Sequence, residues 1–168
     1  GDFYFGRNMD IECGFGERVV ITPRNYKITY KATDEMVSHY AMIGMATVIS
    51  DYPLYAEAVN EYGLGIAGLN FPDNAFYSTH EVAGKTNITP YEVIPWTVGQ
   101  FKTVKEVREA YQSINLVGID FMEGVHVSPL HWIIADKEET IVLESTAEGI
   151  RVYDDPVGVL TNNPTFDY

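Results

Sequence analysis

A chain of 168 residues with 46% hydrophobic and 21% charged side chains has the size and make-up of one folded domain. Its 24 acidic against 11 basic residues give a formal charge of −13, a surface that repels phosphate backbones and anionic membranes and argues against nucleic acid as a partner. No apolar run approaches the roughly 20 residues of a membrane span, and the single cysteine, Cys13, excludes an internal disulfide and fits a reducing, cytoplasmic setting.

In chain order, strand signals dominate the first half. Residues 2–7, 18–22, 27–31, 40–49 and 52–60 are rich in β-branched and aromatic side chains and bounded by turn residues. The first of these, with its Phe3-Tyr4-Phe5 run, needs a neighbour to pair with, and residues 158–160 run as a strand into a polar turn close to the end. Both ends therefore read as cut, and residues 1–168 as one partial domain. Asn60-Glu61-Tyr62-Gly63 is a hairpin turn before a return strand at 64–70, and a polar loop extends from 72 to 88. Two capping boxes follow, Thr89-Pro90-Tyr91-Glu92 and Thr103-Val104-Lys105-Glu106, each opening a helix. Pro95 cannot donate a backbone bond, so the first helix kinks or starts late; in the second, Val107, Ala110, Tyr111 and Ile114 line one face. After a mixed segment at 116–129, strands resume at 131–135, 140–145, 150–153 and 158–160. Strands, a helix pair and strands again make an α+β fold with antiparallel hairpins under a helical layer.

Several motifs suggest chemistry and are outweighed by simpler readings. Gly63-Leu64-Gly65-Ile66-Ala67-Gly68 matches the dinucleotide pattern, but Pro72 with Asp73 and Asn74 denies it the helix that would meet a phosphate. His39, His80, His126 and His131 show no metal-ligand spacing, so no metal and no cofactor is expected. A Ser128/His131/Asp136 triad lacks a nucleophile elbow, and His131 reads as structural. Cys13 lies in an acidic stretch that does not favour its thiolate and reads as incidental and semi-exposed.

Four polar residues form a sharper set. Arg7 and Asp10 stand three apart after an aromatic strand; Asn70 and Asn162 each end a strand pattern at a turn, where an amide can be aimed at a developing oxyanion. Taken singly, each asparagine is ordinary turn chemistry.

The stretches that carry these residues occur together and in order: Phe5-Gly6-Arg7-Asn8-Met9-Asp10, Ile21-Thr22-Pro23-Arg24-Asn25-Tyr26, Gly63 to Pro72, Leu130 to Asp136, and Gly158 to Pro164. From Asp2 to Tyr168 the chain resembles the choloylglycine hydrolase family, the conjugated bile salt hydrolases and penicillin V acylases. The resemblance implies an N-terminal-nucleophile (Ntn) hydrolase, an αββα sandwich, here incomplete at both ends. It implies hydrolysis of the amide joining a bile acid to glycine or taurine, a small-molecule partner, and assembly as a tetramer. It implies Arg7, Asp10, Asn70 and Asn162 as catalytic residues and Met9, Ile49, Tyr55, Ala56, Phe121, Val125 and Leu130 as substrate contacts. The family's nucleophile is a cysteine exposed as the first residue of the mature chain, on the strand preceding this one; Cys13 does not match it. Penicillin V acylase is the alternative activity, and a non-catalytic, ligand-binding truncation is the alternative for the polypeptide as it stands. Asparagine at position 70, where related acylases often carry tyrosine, favours the bile salt.

Overall fold

The structure is a computed structural model that describes residues 2–10, 12 and 14–168. Nine strands and two α-helices are built from the described residues: β1 (Arg18–Thr22), β2 (Met42–Ile49), β3 (Tyr52–Asn60), β4 (Gly65–Asn70), β5 (Thr86–Ile88), α1 (Val93–Gln100), α2 (Val104–Tyr111), β6 (Ile114–Leu116), β7 (Leu130–Ala135), β8 (Thr140–Thr146) and β9 (Gly149–Asp154). Seven strands make one antiparallel sheet in the order β1-β2-β3-β4-β7-β8-β9, while β5 and β6 pair in parallel. The α+β reading holds, with α1 laid across one face of the large sheet.

Local chemistry explains the elements. Ser50 and Asp51, both at positive φ (50° and 64°), make the two-residue turn that suits the twist of a hairpin and aligns Ile49 with Tyr52. Gly44 allows β2 and β3 to approach where the ladder shifts register between Met45 and Ala46, because a Cβ there would lie 1.9 Å from the Glu57 carbonyl oxygen. Asn60 ends β3 and fastens the helical layer. Its amide donates to the Val98 and Phe101 carbonyls at 2.8 and 2.7 Å, and its oxygen accepts from the Tyr62 and Leu64 N–H groups.

Before α1, Pro90–Glu92 forms a 3-10 turn, and the Glu92 carboxylate accepts the N–H groups of Thr89 and Lys31 at 2.8 and 2.7 Å. The helix then starts at Val93, so Pro95 falls in its first turn, where a missing N–H costs nothing. Thr103 caps α2 through the Glu106 N–H, and Asp136 accepts from the Val104 N–H at 2.7 Å. The core between helices and sheet is apolar: Ile66, Val98, Val107, Trp132, Ile134, Ile141 and Leu143 are each at or near zero exposure.

Three expected strands do not form. Residues 2–7 pair with no ladder among the described residues and are held by side chains alone. Residues 27–31 keep only the single bridge of Ile28 to Met36, because Lys31 spends its N–H on Glu92 instead of a neighbouring strand. Residues 158–160 leave the sheet after Asp155, whose carboxylate accepts the Val157 and Gly158 N–H groups and turns the chain away. The glycine run lies where a strand was expected: Gly63 (φ 86°) turns the chain, Gly65 and Gly68 are within β4, and the next helix among the described residues begins only at Pro90.

Candidate active site

The face of the sheet opposite α1 receives the N-terminal segment that carries Arg7. Side chains alternate across a strand, so the register of Glu57 with Ala67 and of Ala67 with Ile133 puts all three on that face. The N-terminal segment lies over it. The Phe5 ring packs on Gly65, with ring atoms 3.0–3.3 Å from where a Cβ would stand. Two residues on, Arg7 Nη1 donates to Glu57 Oε2 at 3.2 Å, beside Ala67. The segment therefore runs in the same direction as β4, towards the Asn70 end. Arg7 is largely withdrawn from solvent, and its Nε is a buried donor with no partner among the described residues.

Asn70 closes β4 opposite Leu130 and is exposed. Phe71 anchors the turn after it: the ring is fully buried and its N–H donates to the Pro129 carbonyl at 2.8 Å. Asn162 lies far along the chain in the segment that follows Asp155. That segment returns to the Asn70 turn, because Asn74 donates to Asn163 Oδ1 at 2.7 Å and to the Pro72 carbonyl at 3.3 Å. The two asparagine turns are thus joined directly. Asp10 is exposed.

The expected substrate contacts separate into groups. Ile49 and Phe121 lie at the tip of the β2–β3 hairpin: Ile49 pairs with Tyr52, whose ring is 5.3 Å from that of Phe121. Phe121 and Val125 close one turn, the Phe121 N–H donating to the Val125 carbonyl at 3.1 Å. Leu130 is half-buried opposite Asn70, its N–H held by the Tyr77 hydroxyl at 2.7 Å. Tyr55 is taken up by the core, with its hydroxyl 2.7 Å from Thr22 Oγ1. Ala56 is half-buried on β3, and Met9 is exposed beyond Arg7. An apolar cavity of about 520 Å³ bounded by Phe3, Phe5, Val19, Ile43, Met45 and Glu57 flanks the Arg7 segment; none of the expected contacts lines it.

Some residues were not singled out from the sequence. Glu57, the partner of Arg7, is the lone charge inside a strand of apolar and aromatic residues, a signal that was legible. Tyr52 and Tyr91 surround Phe121, and both hydroxyls are buried. Burial raises the Tyr52 phenol well above its usual range and the Tyr91 phenol to about 12, so both stay neutral donors at physiological pH. The Ser128/His131/Asp136 triad is excluded: His131 faces Glu144 at 3.0 Å, and Asp136 caps α2 and the turn at Glu138. Cys13 lies outside the described residues. Among the described residues no group of three or more His, Cys, Asp or Glu is arranged to hold a metal, and no helix is long and apolar enough to cross a membrane.

Comparison with known proteins gives the family and the fold. The family of linear amide C–N hydrolases known as the choloylglycine hydrolase family matches residues 1–168, and the chain belongs to it. It is 53% identical over 165 residues to the bile salt hydrolase/transferase of Lactiplantibacillus plantarum, covering 98% of this chain and 51% of that protein. It is 46% identical over 169 residues to the conjugated bile acid hydrolase of Lactobacillus gasseri, covering 100% and 54%. The crystal structure of a variant of the conjugated bile acid hydrolase from Clostridium perfringens superposes with a TM-score of 0.90 at 44% identity, over 95% of this chain and 49% of that one. Penicillin V acylase from Agrobacterium tumefaciens shares the fold, with a TM-score of 0.73 at 18% identity over 96% and 49%. The fold is that of the Ntn hydrolases, and the chain spans about half the length of the relatives it matches.

Proposed function

We propose that this chain forms the nucleophile-proximal half of an amide hydrolase that cleaves glycine- or taurine-conjugated bile salts. The observation that carries the reading is the joining of the Asn70 and Asn162 turns through Asn74 and Asn163, on the side of the sheet towards which the Arg7 segment runs. In this mechanism a cysteine thiolate attacks the amide carbonyl, the C–N bond breaks, and glycine or taurine leaves with a proton. Water then hydrolyses the thioester to free bile acid. That thiol is carried over from the resemblance and has no counterpart within residues 1–168. Arg7, a guanidinium largely withdrawn from solvent, stabilises the thiolate and positions it. Asp10 accepts from the nucleophile's α-amino group, whose ordinary pKa near 8 suits a base. Asn70 donates to the oxyanion, a role worth about 3–4 kcal/mol, and Asn162 orients the attacked amide. Ile49, Phe121 and Val125 by the hairpin tip offer the steroid one apolar surface and Leu130 opposite Asn70 another, Met9 and Ala56 contribute, and Tyr55 gives support from within the core. A homo-oligomeric assembly and a cytoplasmic location belong to the same reading.

The test is a chimera in which residues 1–168 replace the matching stretch of the Lactiplantibacillus plantarum enzyme. It should hydrolyse taurocholate in preference to penicillin V, and faster turnover of penicillin V would reverse the substrate assignment. Residues 1–168 produced alone should turn over neither. Hydrolysis of taurocholate by that polypeptide, abolished by Cys13→Ala, would overturn the assignment of the nucleophile.

A further inference from the structure

Beneath the two asparagine turns lies a buried pair that the mechanism above does not use. His131 on β7 and Glu144 on β8 have side-chain exposures of 0% and 1%, and the imidazole Nδ1–H donates to Glu144 Oε1 at 3.0 Å. A charge-bearing side chain is costly to bury in a sheet, and here the neighbouring row on the same face is Ala67, Ile133 and Val142. Each partner reaches one of the two turns. The His131 ring stacks on Phe71 at 4.1 Å and 9°, and Phe71 directly follows Asn70. Glu144 Oε1 also accepts the Phe166 N–H at 3.1 Å, four residues after Asn162.

The segment from Asp155 to Tyr168 behaves as a strap over the end of the sheet. Asp155 holds its start, Asn74 its middle, and near its end Arg151 Nη1 meets Asp167 Oδ2 at 3.1 Å. Exposed ion pairs such as that last one hold little. The bond to Glu144 ends on a carboxylate withdrawn from water, and the Phe166 ring lies 5.5 Å from that of Tyr153.

We infer that His131 and Glu144 are positioning residues that set the spacing between the Asn70 and Asn162 amides, the imidazole bracing the turn after β4 and the carboxylate pinning the strap. The inference rests on the proposed roles of Asn70 and Asn162. A misplacement of about 1 Å in such a site costs about 100-fold in rate, so the anchor should show in catalysis beyond its effect on stability.

The experiment uses the chimera described above. Glu144→Leu removes both acceptor functions at similar volume, whereas Glu144→Gln keeps an oxygen for the Phe166 N–H. Leu143→Ala, on the opposite face, is a destabilising control. Glu144→Leu should lower kcat on taurocholate by about 100-fold with KM within about twofold, and Glu144→Gln should stay within about threefold of the parent. Protection of the Phe166 amide from hydrogen exchange should vanish in Glu144→Leu and persist in Glu144→Gln. Equal kcat losses in Glu144→Leu and Leu143→Ala, or in Glu144→Leu and Glu144→Gln, would overturn the inference, as would unchanged Phe166 protection in Glu144→Leu. A parent chimera inactive on bile salts would count against the proposed function; the exchange measurement would still decide whether Glu144 pins the strap.

Discussion

Arg7 and Glu57, 50 residues apart in sequence, meet at 3.2 Å, and through this contact an N-terminal segment without a ladder among the described residues is held on the large sheet. The pair is neither fully exposed nor fully buried, at 16% and 25% side-chain exposure, so its worth lies between the two limits. In a double-mutant cycle of Arg7→Leu and Glu57→Leu, read by urea unfolding, the coupling should be about 1–2 kcal/mol. A coupling indistinguishable from zero would mean that Phe5 on Gly65 carries the attachment alone.

Asn70 should govern both rate and substrate choice. In the chimera, Asn70→Ala and Asn162→Ala should each lower kcat on taurocholate by about 100- to 1,000-fold, the cost of a lost donor to developing charge. Asn70→Tyr fills with a ring the space beside the amide, so it should harm taurocholate turnover much more than penicillin V turnover. Equal loss on both substrates would restrict Asn70 to the oxyanion.

Glu61 makes acid stability testable. Its carboxylate is held by the Arg24 guanidinium and accepts the Ala41 N–H at 2.9 Å, which lowers its pKa to about 2. A carboxyl whose folded pKa is depressed stabilises the fold fully above its unfolded value, near 4.3, and loses that contribution as pH falls towards the folded value. The melting temperature of Glu61→Gln should therefore lie below the parent at pH 7 and converge with it between about pH 4 and pH 2. A gap that persists at pH 2 would point to the loss of neutral hydrogen bonds instead.

Gly44→Ala should be among the most damaging small substitutions, because the new methyl would meet the Glu57 backbone and not a flexible side chain. Overpacking of this kind costs about 1–3 kcal/mol. Because Glu57 is the partner of Arg7, activity of the chimera should fall along with stability. Gly6→Ala, with open space around it, should be mild by comparison when both are followed by thermal melting.

Alternation and turn chemistry made most of the large sheet legible: β1, β3, β4 and β7 to β9 lie within a residue or two of where the pattern predicts them. Pairing decided the exceptions. Residues 2–7 and 158–160 have the composition of strands, but a strand exists only where a neighbour supplies its ladder, and that is a property of the fold. Residues 27–31 lost theirs to a single carboxylate 61 residues away, where Lys31 meets Glu92.

The site divides in the same way. Arg7, Asp10, Asn70 and Asn162 were marked by residue type, by turn position and by the stretches that contain them, because those features are local and survive in a linear string. Glu57 under Arg7, Asn163 under Asn74, and His131 with Glu144 between the two turns were decided by the tertiary structure alone. Each lies on a different strand or loop from its partner, and only strand register and the return of the strap bring a buried carboxylate, a ring and an amide within 3–4 Å of one another.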